Sequence, residues 1–328
     1  MTQPVPVPAE LIQFIREGTK FIIAGHEEPD GDCIGSQLTL CSLLARMGKT
    51  AIPCSAGPFR RTEVAPYAKN FRTAPADSDK AGARLILVDC SEYSRSGDLE
   101  PHLKGLPAAI IDHHASGSER PPPEGTVIFQ DPAAPSVTFM IYSLIKALGM
   151  ELTKEEARLL LFGLCTDTGF FRHTDENSEN TFMCAAGLIK AGASPKQTYQ
   201  AIYGGRSFNS RLLLGRILSR SQTHFNGRLI ITHENSDDIS ELGIESRDSD
   251  ILYQLLQSVA GTEAIAYIRQ EKPDECSLGL RSRDWVNVAA IAESLGGGGH
   301  RNAAGCTVTG DIGLATKMVL DKFSRIFA

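Results

Sequence analysis

Three short apolar runs do most to limit what this chain can fold into. Residues 21–24 (Phe-Ile-Ile-Ala), 85–88 (Leu-Ile-Leu-Val) and 108–111 (Ala-Ala-Ile-Ile) are uninterrupted by polar residues. Half-exposed strands alternate, whereas strands buried on both faces of a parallel sheet read as continuous apolar runs. Helical patterns follow: Val137, Met140, Ile141, Leu144, Ile145 and Leu148 fall on one stripe of an amphipathic helix. Residues 157–165 are apolar almost all round, which predicts a buried helix. Strands alternating with helices predict an α/β fold with a mainly parallel sheet.

At 328 residues the chain has room for two domains. The second begins after Gly204-Gly205. Residues 207–220 read as a basic connecting helix with Arg206, Arg211, Arg216 and Arg220 on or beside it. Phe225-Asn226-Gly227-Arg228-Leu229 reads as a tight hairpin, because Asn and Gly accept the positive φ such turns require. Strands at 264–269 and 277–280, a helix at 286–294 and a last helix at 312–327 complete a smaller α/β domain. The expected division is residues 1–203, a helical linker at 204–220, and residues 221–328. No internal repeat is present; Pro121 to Pro123 reads as a surface loop and Gly296 to Gly299 as a glycine run.

With 42% hydrophobic and 22% charged residues, the composition excludes fibrous and disordered classes. No stretch approaches the ~18 apolar residues of a membrane span, and the opening lacks the basic flank and apolar core of a secretory signal. A cytoplasmic protein is expected. Its 39 acidic against 33 basic side chains argue against gripping long nucleic acid, which needs arrays of Lys and Arg. A nucleotide ligand should therefore be small. The eight cysteines, Cys33, Cys41, Cys54, Cys90, Cys165, Cys184, Cys276 and Cys306, form no C-x-x-C pair and are expected to be buried thiols in a reducing compartment.

The residues that follow the strands carry the chemistry. The first run leads to His26, Asp30 and Asp32, the second to Asp89, the third to Asp112-His113-His114, and Asp167 lies just beyond the buried helix. Open α/β sheets bind ligands at this edge. Asp32 also reads as an N-cap of the helix that runs to Met47. Six candidate ligands, His26, Asp30, Asp32, Asp89, His113 and Asp167, exceed what one divalent ion needs. A His and carboxylate set without thiolates suits Mn²⁺ or Mg²⁺ better than structural zinc, although the affinity order also admits zinc or cobalt. Two ions roughly 3.5–4 Å apart would activate water for in-line displacement at phosphorus. If His113 binds metal, His114 is free to meet a substrate phosphate or leaving group, and Asp112 would orient the ligating imidazole.

The segments HEEPDGDCIGS, LILVDCSE, IDHHAS and GLCTDTGFF resemble the four successive motifs of the DHH phosphoesterase family, and GGGGHRNAAG resembles the hallmark of its DHH-associated C-terminal domain. The resemblance covers nearly the whole chain, in motif order. The two-domain layout is similar to the bacterial branch of nanoRNases and 3′-phosphoadenosine 5′-phosphate (pAp) phosphatases. It implies that His26, Asp30 and Asp89 bind a first manganese, and that Asp32, Asp89, His113 and Asp167 bind a second, with Asp89 bridging. Mg²⁺ or Co²⁺ would be alternatives. His114 matches the family's catalytic second histidine; His173 is assigned no role.

In the second domain, Gly298, Gly299, His300 and Arg301 could be only a loop. Glycines also let backbone N–H groups approach a phosphate, and His300 and Arg301 add charge. The resemblance favours Arg281, His300 and Arg301 as phosphate contacts, in a cleft that admits few nucleotides. The function so implied is release of 5′-mononucleotides from very short RNA, and of AMP from pAp. Alternatives are a phosphodiesterase for cyclic or linear dinucleotides and a nucleotide sensor without turnover. The expected partners are these small nucleotides, without long duplexes or membranes, in a homodimer by family analogy.

Overall fold

The computed structural model describes residues 5–115, 122–283 and 285–327. Ser116 of the Asp-His-His segment, Pro121 of the proline run and residues 1–4 of the opening lie outside the described residues. The chain divides into two units, Met1–Gly205 and Arg206–Ala328.

In the first unit the apolar runs are strands. β1 (Lys20–Ala24), β2 (Thr50–Cys54), β3 (Arg84–Val88), β4 (Ala108–Asp112) and β5 (Val127–Gln130) form a parallel sheet in the order β2-β1-β3-β4-β5. Alternate residues serve opposite cores. Phe21, Ile23, Ile86, Val88, Ala109 and Ile111 pack with the helices Gly31–Arg46, Val137–Ala147 and Lys154–Asp167. Ile22, Ala24, Leu85, Leu87, Ala108 and Ile110 pack on the other face with Leu99 and Leu103. Double burial explains why the runs do not alternate. From adjacent strands β1 and β3 the chain departs toward opposite edges of the sheet, to β2 and to β4. This is the switch point at which doubly wound sheets open a crevice.

Two helix starts position the site. Asp30, extended at φ −101°, caps Gly31–Arg46, its Oδ1 accepting from the Asp32 and Cys33 amides at 3.1 Å. The expected cap at Asp32 is thus corrected: Gly31 is already helical, and Asp32 lies within the first turn. Lys154–Asp167 starts with a capping box in which Thr153 and Glu156 satisfy each other's amides. Glu156, fully buried, also accepts from Ser42 at 2.7 Å and Arg46 at 2.5 Å, tying this helix to Gly31–Arg46. Asp167 is the last residue of its helix rather than one beyond it.

The second unit is a mixed sheet of β6 (Gln222–His224), β7 (Leu229–Glu234), β8 (Ala264–Lys272), β9 (Glu275–Ser282), β10 (Gly298–His300) and β11 (Ala303–Thr309), ordered β10-β11-β9-β8-β7-β6. Among the described strands of this sheet, only β7 and β8 pair in parallel. Phe225, Asn226 and Gly227 all take positive φ between β6 and β7, as the Asn-Gly pair predicts. The helix Phe208–Ser219 lies within this unit: Leu213 and Ile217 pack with Ile230, Tyr253, Ile265 and Tyr267 on one sheet face. Val288–Glu293 and Ile312–Phe327 supply the other core. The glycine run ends in the edge strand β10. A Cβ on Gly297 would stand 2.2 Å from the Gly305 carbonyl, so close backbone approach demands glycine there. Among the described residues no helix is long and apolar enough to cross a membrane.

Candidate metal centre

Three strand ends and one helix end converge at the switch point. His26 follows β1, and its Nδ1 lies 2.7 Å from the Glu27 carbonyl, which turns Nε2 inward. That nitrogen is 3.4 Å from Asp89 Oδ2 and 3.9 Å from Asp30 Oδ1. Asp89, directly after β3, has a φ of +60°, a conformation Asp tolerates better than most residues. Its other oxygen, Oδ1, is 3.7 Å from both His113 Nε2 and His114 Nδ1. His113 Nε2 lies 3.2 Å from Asp167 Oδ2, and Asp32, His113 and Asp167 form one cluster with ligand atoms within 4.8 Å of one another. All six predicted ligands are therefore together, with Asp89 reaching both histidine groups.

Asp32 is held from an unforeseen direction. It is fully buried; Oδ2 accepts from the Val137 amide at 2.6 Å, and Oδ1 from the Thr138 amide at 2.9 Å and hydroxyl at 2.6 Å. It thus satisfies the N-terminus of Val137–Ala147, not of its own helix. Its oxygens keep lone pairs for a further partner.

The site has more negative charge than its own groups neutralise. Burial, helped by the charges of Asp30 and Asp167 against His26, raises Asp89 to about 6. Burial and the charges of Asp167 and Asp89 hold Asp32 well above the usual carboxylate range. Asp167 is also raised, by burial first. Burial works against ionised Asp30, yet His26 pulls it down to about 2. Burial would lower His113, but Asp167, Asp32 and Asp89 raise it to about 10, and His26 is raised against its burial by Cys33, Asp30 and Asp89. Groups in this arrangement retain protons in place of cations. Asp89 Oδ1 supplies the test of fit: the residue is 2% exposed, and this oxygen accepts no hydrogen bond. An orphaned buried carboxylate oxygen amid imidazoles and carboxylates suits divalent ions. His26, Asp30 and Asp89 would hold one, Asp32, His113 and Asp167 another, with Asp89 shared.

The expected pairing of Asp112 is corrected. It orients His114, not His113: Asp112 Oδ1 is 2.8 Å from His114 Nδ1 and 3.1 Å from its amide nitrogen. His113 Nδ1 instead meets the Ala134 carbonyl at 3.2 Å. With Nδ1 so engaged, His114 has Nε2 left to face outward, on a side chain 38% exposed.

Beside Asp167 lies a cavity of about 650 Å³ within the first unit, lined among others by Phe139, Pro135, Asp131, Thr168, Asn177 and Asn180. A largely polar lining beside a cluster of imidazoles and carboxylates suits a small polar ligand. His173, given no role by sequence, lines it too.

In the second unit, Arg281 on β9 lies opposite Ala303 on β11, itself opposite His300 on β10, so Arg281 and His300 share a sheet face. The Arg281 guanidinium lies over the Tyr253 ring at 4.4 Å. Arg301 is exposed and donates to the Trp285 carbonyl at 3.1 Å. Gly299 needs to be glycine, with φ +142° and a Cβ position 2.6 Å from the Ala303 carbonyl, whereas Gly298 faces open space.

Sequence reading missed Thr138, Cys33 and Tyr253. Thr138 lies 106 positions from Asp32, and no local pattern links them. Cys33 adjoins Asp32 and was legible only as a buried thiol.

A model described as the N-terminal domain of the DHH family matches residues 20–164, and a DHHA1 domain model matches residues 230–327. The chain is 32% identical to the bifunctional oligoribonuclease and PAP phosphatase NrnA of Thermus thermophilus, across 97% of this chain and 95% of that protein. It is 26% identical to the Bacillus subtilis protein of the same name, across 91% and 92%. The crystal structure of an exopolyphosphatase-related protein from Bacteroides fragilis superposes with a TM-score of 0.81 at 20% identity, covering 97% of this chain and 96% of that one; at that identity the likeness shows the fold.

Proposed function

This chain belongs to the DHH family of phosphoesterases, and from that premise we propose that it hydrolyses very short oligoribonucleotides to 5′-mononucleotides and pAp to AMP, with two divalent ions, Mn²⁺ foremost. The observation that carries the reading is the convergence of His26, Asp30, Asp32, Asp89, His113 and Asp167 around the orphaned Asp89 oxygen. Full-length similarity to proteins named for both activities supports the substrate class.

When bound, a pair of divalent ions supplies charge that activates water and stabilises the leaving oxygen of in-line displacement. The chain's own groups do the rest. The Glu27 and Ala134 carbonyls fix the rings of His26 and His113. Asp112 fixes the ring of His114, whose Nε2 would meet the reacting phosphate or the leaving group. The cavity beside Asp167 would receive part of the nucleotide. In the second unit, Arg281, Gly298, Gly299, His300 and Arg301 would contact substrate phosphates.

One hydrolysis panel with Mn²⁺ tests this: pAp, RNA and DNA of two to five nucleotides, long single strands, cyclic dinucleotides and pyrophosphate. Short RNA and pAp should turn over and long strands should not. Binding with every substrate left intact would make the protein a sensor, and turnover of cyclic dinucleotides with pAp untouched would move the assignment to that class. In the same panel, Asp89→Ala should abolish turnover and reduce bound metal to at most one ion; near-normal rates would sink the shared-carboxylate mechanism.

A further inference from the structure

Cys33 stands in the first turn of Gly31–Arg46, fully buried, and its sulfur points back toward the ends of β1 and β3. Gly25 makes room for it: a Cβ there would lie 2.2 Å from Cys33 Sγ and 3.2 Å from the Val88 carbonyl. As a result Cys33 Sγ, a ring nitrogen of His26 and an oxygen of Asp89 all lie within 4.8 Å of one another. The sulfur lies 3.6 Å from Gln37 Oε1, whose amide nitrogen is anchored by the Ile23 and Cys54 carbonyls, and it also interacts with the His26 ring. Asp89 turns Oδ2 toward this group, 3.4 Å from His26 Nε2, while its partnerless Oδ1 faces His113 and His114, so one buried carboxylate serves both clusters. A thiol, an imidazole and a carboxylate around one point make a donor set distinct from the all-nitrogen and oxygen group of Asp32, His113 and Asp167.

We propose that Cys33 supplies sulfur to the divalent ion held by His26 and Asp89, so that the two ion sites differ in character and the first admits thiophilic ions such as Zn²⁺ or Co²⁺ more readily than the second. On coordination the thiol proton leaves to solvent and the sulfur electron pair binds the metal; nothing is oxidised or reduced. Thiolate donors select softer ions, while carboxylates and water suit Mn²⁺ and Mg²⁺. The inference rests on the two-metal reading above.

The test compares intact wild-type protein with Cys33→Ala and Cys33→Ser. In the Co²⁺-loaded wild type, a sulfur-to-cobalt charge-transfer band in the near ultraviolet is expected, and it should vanish in both variants. X-ray absorption of the Zn²⁺-loaded wild type should show a sulfur neighbour at about 2.3 Å. The ratio of Zn²⁺ to Mn²⁺ affinity should fall on the order of 10- to 100-fold in the variants. Two bound ions with no sulfur signal, or spectra and ratios unchanged by substitution, would overturn the role of Cys33 and leave the metal centre standing. Wild type that binds no divalent ion would overturn the metal-centre reading itself. Cys33→Ser nearly preserves side-chain size, so loss of signal in a variant that remains folded by circular dichroism cannot be assigned to unfolding.

Discussion

His113 and His114 are neighbours in sequence with opposite attachments. The first is held by a backbone carbonyl and faces Asp167 and Asp89; the second is held by the Asp112 carboxylate and lies at the rim. Ring anchoring at Nδ1 leaves each Nε2 for a separate task. His114→Ala should therefore lower kcat by roughly 10²- to 10⁴-fold, the range for a general acid, without altering bound metal measured by elemental analysis. Asp112→Asn should give a smaller loss of the same kind. If His114→Ala instead loses an ion with the activity, His114 is a ligand and the division of labour is wrong. At the same scale the carboxylates differ by partner: Asp30 is lowered to about 2 beside His26, while Asp89, buried among other acids, rises to about 6.

Helices are joined to their neighbours by single buried charged groups. Glu156 binds its own helix start and Arg46 of another helix; Asp32 binds the start of Val137–Ala147. In the second unit Asp238 plays this part. It is 2% exposed, accepts from the Asn235 amide at 3.0 Å, and pairs with Arg216 and Arg220 at the end of Phe208–Ser219. Burial disfavours its charge, but Arg220, the Asn235 amide and Arg216 lower it to about 2. A carboxyl depressed in the folded state adds stability above its unfolded value near 4, lost as pH falls toward 2. Asp238→Asn should lower stability at pH 7 by about 1–2 kcal/mol, discounted because the partly exposed arginines are screened. The variant should also lose less than wild type between pH 4 and 2 in urea titrations. Parallel acid curves would show that Asp238 does not couple these helices.

For the whole molecule, the charge of −6 and the crowded acids of the first unit should make stability depend on cations. Without metal, raised groups such as Asp89 stabilise the folded state below about pH 4, and that contribution is lost as pH rises through about 6. Asp32 and Asp167 shift in the same direction, whereas the contribution of His113, raised to about 10, is lost only above the unfolded histidine value near 6.5. Chelation should thus lower Tm, and the gap between metal-loaded and metal-free protein should widen from pH 4.5 to 6.5 in scanning calorimetry. A gap that narrows over this range would remove the acids as the metal's partners. His300→Ala should raise KM for pAp and dinucleotides several-fold while hydrolysis of a simple aryl phosphodiester stays unchanged. An unaltered substrate profile would take the second unit out of phosphate recognition.

The sequence by itself determined the central strands and the chemistry at their ends. Strands buried on both faces leave unbroken apolar runs, and the polar residues that stop those runs must stand at one edge of a parallel sheet. Edge strands were less legible: Thr50–Cys54 is interrupted by Pro53, and the apolar run of Val127–Gln130 is short and buries only Phe129. The glycine run did not reveal an edge strand, because its backbone pairing with Ala303–Thr309 depends on a partner that follows it in the chain. Strand order was decided only by tertiary structure, since parallel neighbours are chosen by crossovers and not by local pattern. So were the partners of the key groups. Which aspartate caps which helix, which histidine Asp112 holds, and that Cys33 faces the candidate metal ligands depend on side-chain direction, and the hold of Asp32 on Val137 depends on a contact across 105 residues. Local sequence dictates residue type and burial; only packing dictates which buried groups meet.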